Sequence, residues 1–145
     1  MAVGFDVTEF DKFTKQLIAM AEKDMPKKLN SFINKESGKL TTRTKKEVKA
    51  AVDIKTGNYQ KSVEKIKRAK KAKKYYTGGT VSAARHAHLI EHGHNQVIGR
   101  GPRKGEKVGV VAGRNVFKAA ADDFQSVFNR DLEKLTDEIA KEAAK

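Results

Sequence analysis

From Phe117 to Ile139 the residues Phe117, Ala121, Phe124, Phe128, Leu132, Leu135 and Ile139 recur in steps of three and four. A strand cannot hold such a series on one side, because its side chains alternate; a helix with 3.6 residues per turn can. Asn115 after Gly113 supplies a good N-terminal cap, so the helix is expected to begin there. Unbroken to the C-terminus it would be about 45 Å long at 1.5 Å per residue. A domain of 145 residues does not need that length on its own account. Part of the stripe is therefore available to a neighbouring molecule.

Two more helices are expected nearer the N-terminus. The first opens at Phe5-Asp6-Val7-Thr8-Glu9-Phe10, where Asp6 caps, Glu9 completes a capping box and Phe5 staples onto Phe10. Phe10, Phe13, Leu17, Ala21 and Met25 then form its apolar stripe. Pro26 suits the first turn of a second helix, where its missing N–H has no partner anyway. This second helix sets Leu29, Phe32, Ile33, Leu40, Val48 and Val52 on one broad side. The rest of its surface carries Lys27, Lys28, Lys35, Lys39, Arg43, Lys45, Lys46 and Lys49. Gly38 interrupts it and marks a kink or a close helix contact.

Residues 53–112 follow other rules. Thr56-Gly57-Asn58-Tyr59 has turn chemistry, and Ser62 to Lys67 alternates as a strand with one wet face. Tyr75 to Val81 is strand material broken by Gly78-Gly79, which fits a hairpin or a bulge. Lys107 to Ala112 is a further short strand. Ile98 to Gly105 is a glycine- and arginine-rich loop, expected to be mobile. The fold class is α+β, with two N-terminal helices, a small antiparallel sheet and a long C-terminal helix. One domain covers 1–145, helical over 1–52, sheet and loops over 53–112, and helical again over 113–145.

Charge is distributed unevenly. The chain has a net charge of +13, and residues 25–80 alone hold 17 bases against 4 acids. Both ends are mildly acidic. A local positive field of this kind attracts polyanions or acidic protein surfaces. Cysteine is absent, which removes disulfides, thiolate zinc sites and thiol nucleophiles, and fits a reducing cytosol. Met1 to Asp6 reaches an acid before any apolar run develops, so no secretory signal is expected. No stretch approaches the roughly 18 apolar residues of a membrane span, so a soluble protein is expected, without membrane contact.

Three constellations bear on chemistry. His88-Leu89-Ile90-Glu91-His92 matches the H-x-x-E-H pattern in which two histidines hold zinc and the glutamate acts as general base. Gly93 follows at once and leaves only a very short helix, no third-ligand motif appears, and the chain is small for a peptidase. Packing of Leu89 and Ile90 at a turn is the preferred reading, with no metal, cofactor or catalytic residue assigned. The run Lys65, Lys67, Arg68, Lys70, Lys71, Lys73 and Lys74, followed by Tyr75 and Tyr76, offers phosphate contacts and base stacking without any sequence-reading motif. A solvated hairpin edge, protected by lysines from aggregation, explains it as well. Arg100, Arg103 and Lys104 lie in a loop without the flanking elements of a phosphate-binding loop.

In order along nearly the whole chain, these segments resemble a family of bacteriophage tail-completion or minor tail proteins, typified by gene product ten of a lambda-like coliphage. The correspondence runs through Thr56-Gly57 and Ser62, the lysine-rich pair Val63 to Val81, and the segment containing His88, Leu89, Ile90, Glu91 and Gly93. It continues through the basic glycine loop to Gly113-Arg114-Asn115-Val116-Phe117. Departures are the two extra residues Ile54-Lys55, Tyr59 where leucine is common, and Asn115 where proline is common. The resemblance implies a structural protein of a long-tailed phage virion, with no enzyme activity and no cofactor. It would complete the tail and join it to the head connector, after synthesis in the host cytoplasm.

The implied partners are other tail and connector proteins, further copies of the chain in a ring around the DNA passage, and DNA itself without sequence specificity. Contacts are expected from the basic segment and from residues 95–105, the latter ordering on docking. Thr56, Gly57, Ser62, His88, Leu89, Ile90, Glu91, Gly93 and Phe117 are expected to pack. A non-specific nucleic-acid-binding protein is the alternative, and a small zinc hydrolase a distant third.

Overall fold

The computed structural model describes residues 8–52, 57–66 and 78–144. The elements run α1 (Thr8–Ala19), a π-helical turn (Met20–Asp24), α2 (Met25–Ala51), α3 (Asn58–Lys61), β1 (Val63–Lys65), β2 (Thr80–Ser82), α4 (Ala87–His92), β3 (Gly93–Val97), β4 (Lys107–Ala112) and α5 (Val116–Ala143). The class is α+β, as expected. The expected cap and staple among Phe5, Asp6, Glu9 and Phe10 fall outside the described residues and side chains.

The two N-terminal helices are joined without a loop. Ala19, Asp24 and Met25 all keep right-handed helical backbone, so residues 8–51 form one helical rod of about 65 Å. Pro26 does lie in the first turn of α2. A proline inside a helix removes one hydrogen bond and crowds the carbonyl four residues back. The rod meets this by widening one turn ahead of the proline, where the Met25 N–H donates to the Met20 carbonyl, five residues back.

α2 packs along α5 in the antiparallel sense. Lys28 pairs with Glu142, Lys39 with Asp131, and Arg43 with Asp123, so partners rise along one helix as they fall along the other. Phe32 and Phe124 both face Phe128, with ring centroids 5.6 and 6.5 Å apart. The buried face of α2 differs from its expected apolar side. Phe32, Val48, Glu36, Ser37, Thr41 and Thr44 are buried, whereas Leu29, Ile33, Leu40 and Val52 are half-buried. The hydroxyls can bury because they are small and satisfy themselves. Ser37, Thr41 and Thr44 donate to the carbonyls of Ile33, Ser37 and Leu40 at 2.6, 2.8 and 2.9 Å. A Cβ at Gly38 would meet nothing within 4 Å, so close helix contact is not its reason.

On α5 the buried line is Val116, Ala120 and Phe124. Phe117, Phe128, Leu135 and Ile139 flank it half-buried, while Ala121 and Leu132 are exposed. The expected stripe is thus offset from the true contact line, and its outer flank stays uncovered.

The Lys39–Asp131 pair has a consequence for pH. The Lys39 ammonium beside Asp131 holds that carboxyl below its ordinary 3.8, and Asp131, then Glu36, raise Lys39 above its ordinary 10.5. The depressed acid contributes stability that is present above about pH 4 and lost as pH falls through its folded value. The raised base contributes stability that is present below about pH 10 and lost as pH rises through its folded value. Asp131→Asn is therefore expected to be less stable than the native chain at pH 7, by a deficit that shrinks as pH falls below about 4. Urea unfolding across that range checks this, and an undiminished deficit in acid would refute it.

The apolar core gathers at the far end of α2. Val48, Tyr59, Val63 and Val116 are buried together, with Ala51, Val52, Ala84, Ala87, Ile90 and Phe117 packed around them. The expected small sheet is two separate hairpins. β1 pairs antiparallel with β2, and β3 with β4. In the first, Val63, Glu64 and Lys65 oppose Ser82, Val81 and Thr80. Ser37 locks it to the rod, accepting from the Gly79 N–H at 3.0 Å. Gly78 lies so close that a Cβ would stand 2.1 Å from Ser37 Oγ. Among the described residues, no helix is long and apolar enough to cross a membrane.

Candidate functional site

Two features stand out from the helical body: a joint around Glu91 and an arm made of β3 and β4. The joint is where α4, the base of the arm and the start of α5 meet. Gly93 turns the chain from α4 into β3 with φ +79°, a left-handed value that favours glycine. Gly93 and Gly113 press backbone against backbone. A Cβ on Gly93 would lie 2.3 Å from the Val111 carbonyl oxygen, and one on Gly113 would lie 2.3 Å from that of Glu91. The Arg114 and Asn115 N–H groups donate to the carbonyls of Ile90 and Glu91 at 2.8 and 3.1 Å.

Asn115 does not cap α5 with its side chain. It takes φ +48°, a left-handed conformation that Asn tolerates. Glu91 supplies the cap from across the joint. Its Oε1 accepts from the N–H groups of Phe117 and Lys118 at 2.9 and 3.2 Å. A carboxylate on the exposed amides of a helix N-terminus satisfies orphan donors and also suits the helix dipole. Nothing in the sequence spacing pairs residue 91 with residues 117 and 118, so the reading by sequence missed it.

His88 and His92 are exposed on the short α4, and His86 and His94 are exposed as well. Among the described residues, no three His, Asp or Glu side chains converge to hold a metal. Glu91 Oε1 is engaged as the cap of α5. Leu89, Ile90 and Phe117 are half-buried, Ile90 and Phe117 against the core around Val48 and Val116. Beside the joint, a cleft of about 250 Å³ is lined by Tyr59, Ser82, His88, Glu91, His92 and Phe117. Tyr59 OH and Glu91 Oε2 are buried there without a partner among the described residues. Burial, then the charge of Glu91, raises the Tyr59 pKa above its ordinary value.

The arm comprises residues 93–112. Gly93, His94, Asn95, Gln96 and Val97 oppose Ala112, Val111, Val110, Gly109 and Lys107, with a bulge between Gln96 and Val97. β3 is a strand the sequence did not announce, since Gly-His-Asn-Gln-Val has no strand signature. The expected mobile loop is a hydrogen-bonded tip. Ile98 and Gly105 N–H groups donate to the Glu106 and Ile98 carbonyls at 3.0 and 2.8 Å, Lys104 N–H to Gly101 and Glu106 N–H to Arg103. The Arg103 guanidinium forks onto the Glu106 carboxylate. Turn bonds thus tie the two ends of the tip, Ile98 and Gly105–Glu106, to each other.

Of the expected contact residues, Arg100, Arg103 and Lys104 come together, exposed, at the tip of the arm, and Lys65 is exposed at the end of β1. Lys67, Arg68, Lys70, Lys71, Lys73 and Lys74 lie outside the described residues, as does Thr56. Ile66 N–H donates to the Gly79 carbonyl at 3.0 Å. Gly57, with φ +70°, starts α3, and Ser62 closes it by bonding to the Tyr59 carbonyl. The sequence reading passed over Val97, Val108, Val110 and Val111, all exposed on the arm. The signal was the valine-rich run itself, whose exposure depends on what covers it.

A groove of about 580 Å³ between α2 and α5 is lined by Lys28, Lys35, Glu36, Lys39, Arg130 and Lys134, among others. Lys28 and Lys39 there belong to the ion pairs that fasten the two helices. The class the fold defines is thus an α+β chain built from a helical rod, an antiparallel partner helix and a protruding arm. No family model, no curated protein and no solved structure matches it.

Proposed function

We propose that this protein is a structural component of a long-tailed phage virion, completing the tail and joining it to the head connector in a ring around the DNA passage. The ordered resemblance of its segments, from Thr56-Gly57 to Gly113–Phe117, is the observation that carries this reading. The architecture is compatible with it, since the prominent surfaces are built for contact. The arm leaves apolar residues in water, the rod does so at Leu17 and Ile18, and the bases on the outer face of α2 are available to anionic neighbours. One point of the family pattern needs a different local solution. Proline cannot adopt the φ of +48° that Asn115 takes, so the turn into α5 is this chain's own.

The runner-up is a cellular protein that binds nucleic acid without sequence preference. It is favoured by Lys27, Lys35, Lys45, Lys46 and Lys49, none of which pairs with an acid among the described residues. Electron microscopy of lysates from a phage or prophage lacking this gene separates the two. Filled heads with separate or malformed tails are expected. Normal, infectious particles would overturn the virion role and leave nucleic-acid binding as the better account.

A further inference from the structure

β3 and β4 pair with each other and with no other described strand, so each has an open outer edge. Val97, Val108, Val110 and Val111 are 55, 58, 67 and 37% exposed. A lone two-stranded hairpin is marginal in water, and open edges beside exposed valines invite pairing unless something covers them. Charge at the tip selects the partner. Arg100, Arg103, Lys104 and Lys107 stand against the single acid Glu106, so the complementary surface is apolar with an acidic border.

The same chain carries such a surface. On α5, Leu132 is 39% exposed, and Glu133 and Asp137 are exposed within the same 140° arc of the helix, by its 100° step. Neither acid forms an ion pair with a described residue, whereas Asp122, Asp123, Asp131 and Glu142 are held by Lys118, Arg43, Lys39 and Lys28. Within one chain the arm and this patch do not cover each other, since the valines and Leu132 all remain exposed.

We infer that the arm of one copy docks on α5 of a second copy, the face that carries Val108 and Val110 over Leu132 and its tip cations on Glu133 and Asp137. The contact is heterologous, so each copy both gives an arm and receives one. A series of such contacts closes into a ring or extends as a filament. This deepens the assembly role proposed above and rests on it for its setting.

The absence of cysteine makes the test direct. Val110→Cys and Leu132→Cys change exposed side chains, and circular dichroism verifies that both variants fold. Oxidising an equal mixture is expected to give a disulfide-linked dimer at about ten times the yield of either variant alone. Adding Arg100→Glu and Lys104→Glu to the Val110→Cys chain is expected to remove that excess. Adding Glu133→Lys and Asp137→Lys to its partner is expected to restore it. Yields no higher in the mixture than in the separate variants would overturn the contact, as would a predominance of the Val110→Cys homodimer, which signals arm-to-arm pairing. Because cross-linking is read on the purified chain, its failure removes the arm contact alone, whereas normal particles after gene deletion remove the virion role alone.

Discussion

Gly93→Ala is expected to destabilise the protein by about 2–6 kcal/mol, an overpacking cost plus a backbone strain cost, and Gly113→Ala by about 1–3 kcal/mol, from overpacking alone. The atoms in the way are backbone. At Gly113 a Cβ would stand 2.3 Å from the Glu91 carbonyl oxygen and 2.5 Å from the carbonyl carbon of His92, and at Gly93 it would stand 2.6 Å from the Gly113 nitrogen. Backbone cannot rotate aside as a side-chain tip can. Relief requires α4 and the arm base to separate, which breaks the bonds from Arg114 and Asn115 to Ile90 and Glu91. Gly99→Ala is the control, since a Cβ there meets nothing within 4 Å. Midpoints of urea unfolding measure all three. A joint variant within about 1 kcal/mol of the native chain would show that the two glycines do not clamp the joint.

Glu91→Ala is expected to cost about 1–2 kcal/mol, the usual loss of a helix cap, and to fray the start of α5. Glu91→Gln keeps a carbonyl oxygen for the Phe117 and Lys118 N–H groups and forfeits only the charge on the helix dipole, about 0.3–1 kcal/mol. The pair of variants separates the two roles this residue can have. A cap tolerates Gln and not Ala, whereas a general base is lost with either. Hydrogen exchange at residues 117 and 118 gives the local readout. Equal protection in the native, Gln and Ala chains would rule out the cap.

The helices were the part of the fold most legible in the sequence. The three-and-four spacing from Phe117 to Ile139 and the stripe ending at Met25 are local periodicities, and a helix is set by local rules. Their exact buried lines were not legible. Ser37, Thr41 and Thr44 were not recognised as interior because their hydroxyls are satisfied by carbonyls one turn back, a solution that polarity alone does not reveal. Pro26 signalled an interruption correctly, and the interruption took the form of a wide turn and not a break.

At the joint, the segment from His88 to Gly93 was singled out for its residues, but its use was not readable. Glu91 acts on residues 26 and 27 positions later, and only the folded chain brings them together. β3 went unseen because its sequence lacks strand formers; it is a strand by virtue of its partner β4. The loop expected to be mobile is tied by its own backbone bonds and by Arg103 on Glu106.

The sequence by itself determined the α+β class, the three helical segments, the concentration of charge in residues 25–80 and the absence of thiol chemistry. These are matters of period, composition and count, which each stretch of chain carries alone. Only the tertiary structure decided that two helices are one rod, that one sheet is two hairpins, that Glu91 caps α5 and that four valines stay in water. Each of those depends on which distant residues meet, and no local pattern encodes the geometry of a meeting.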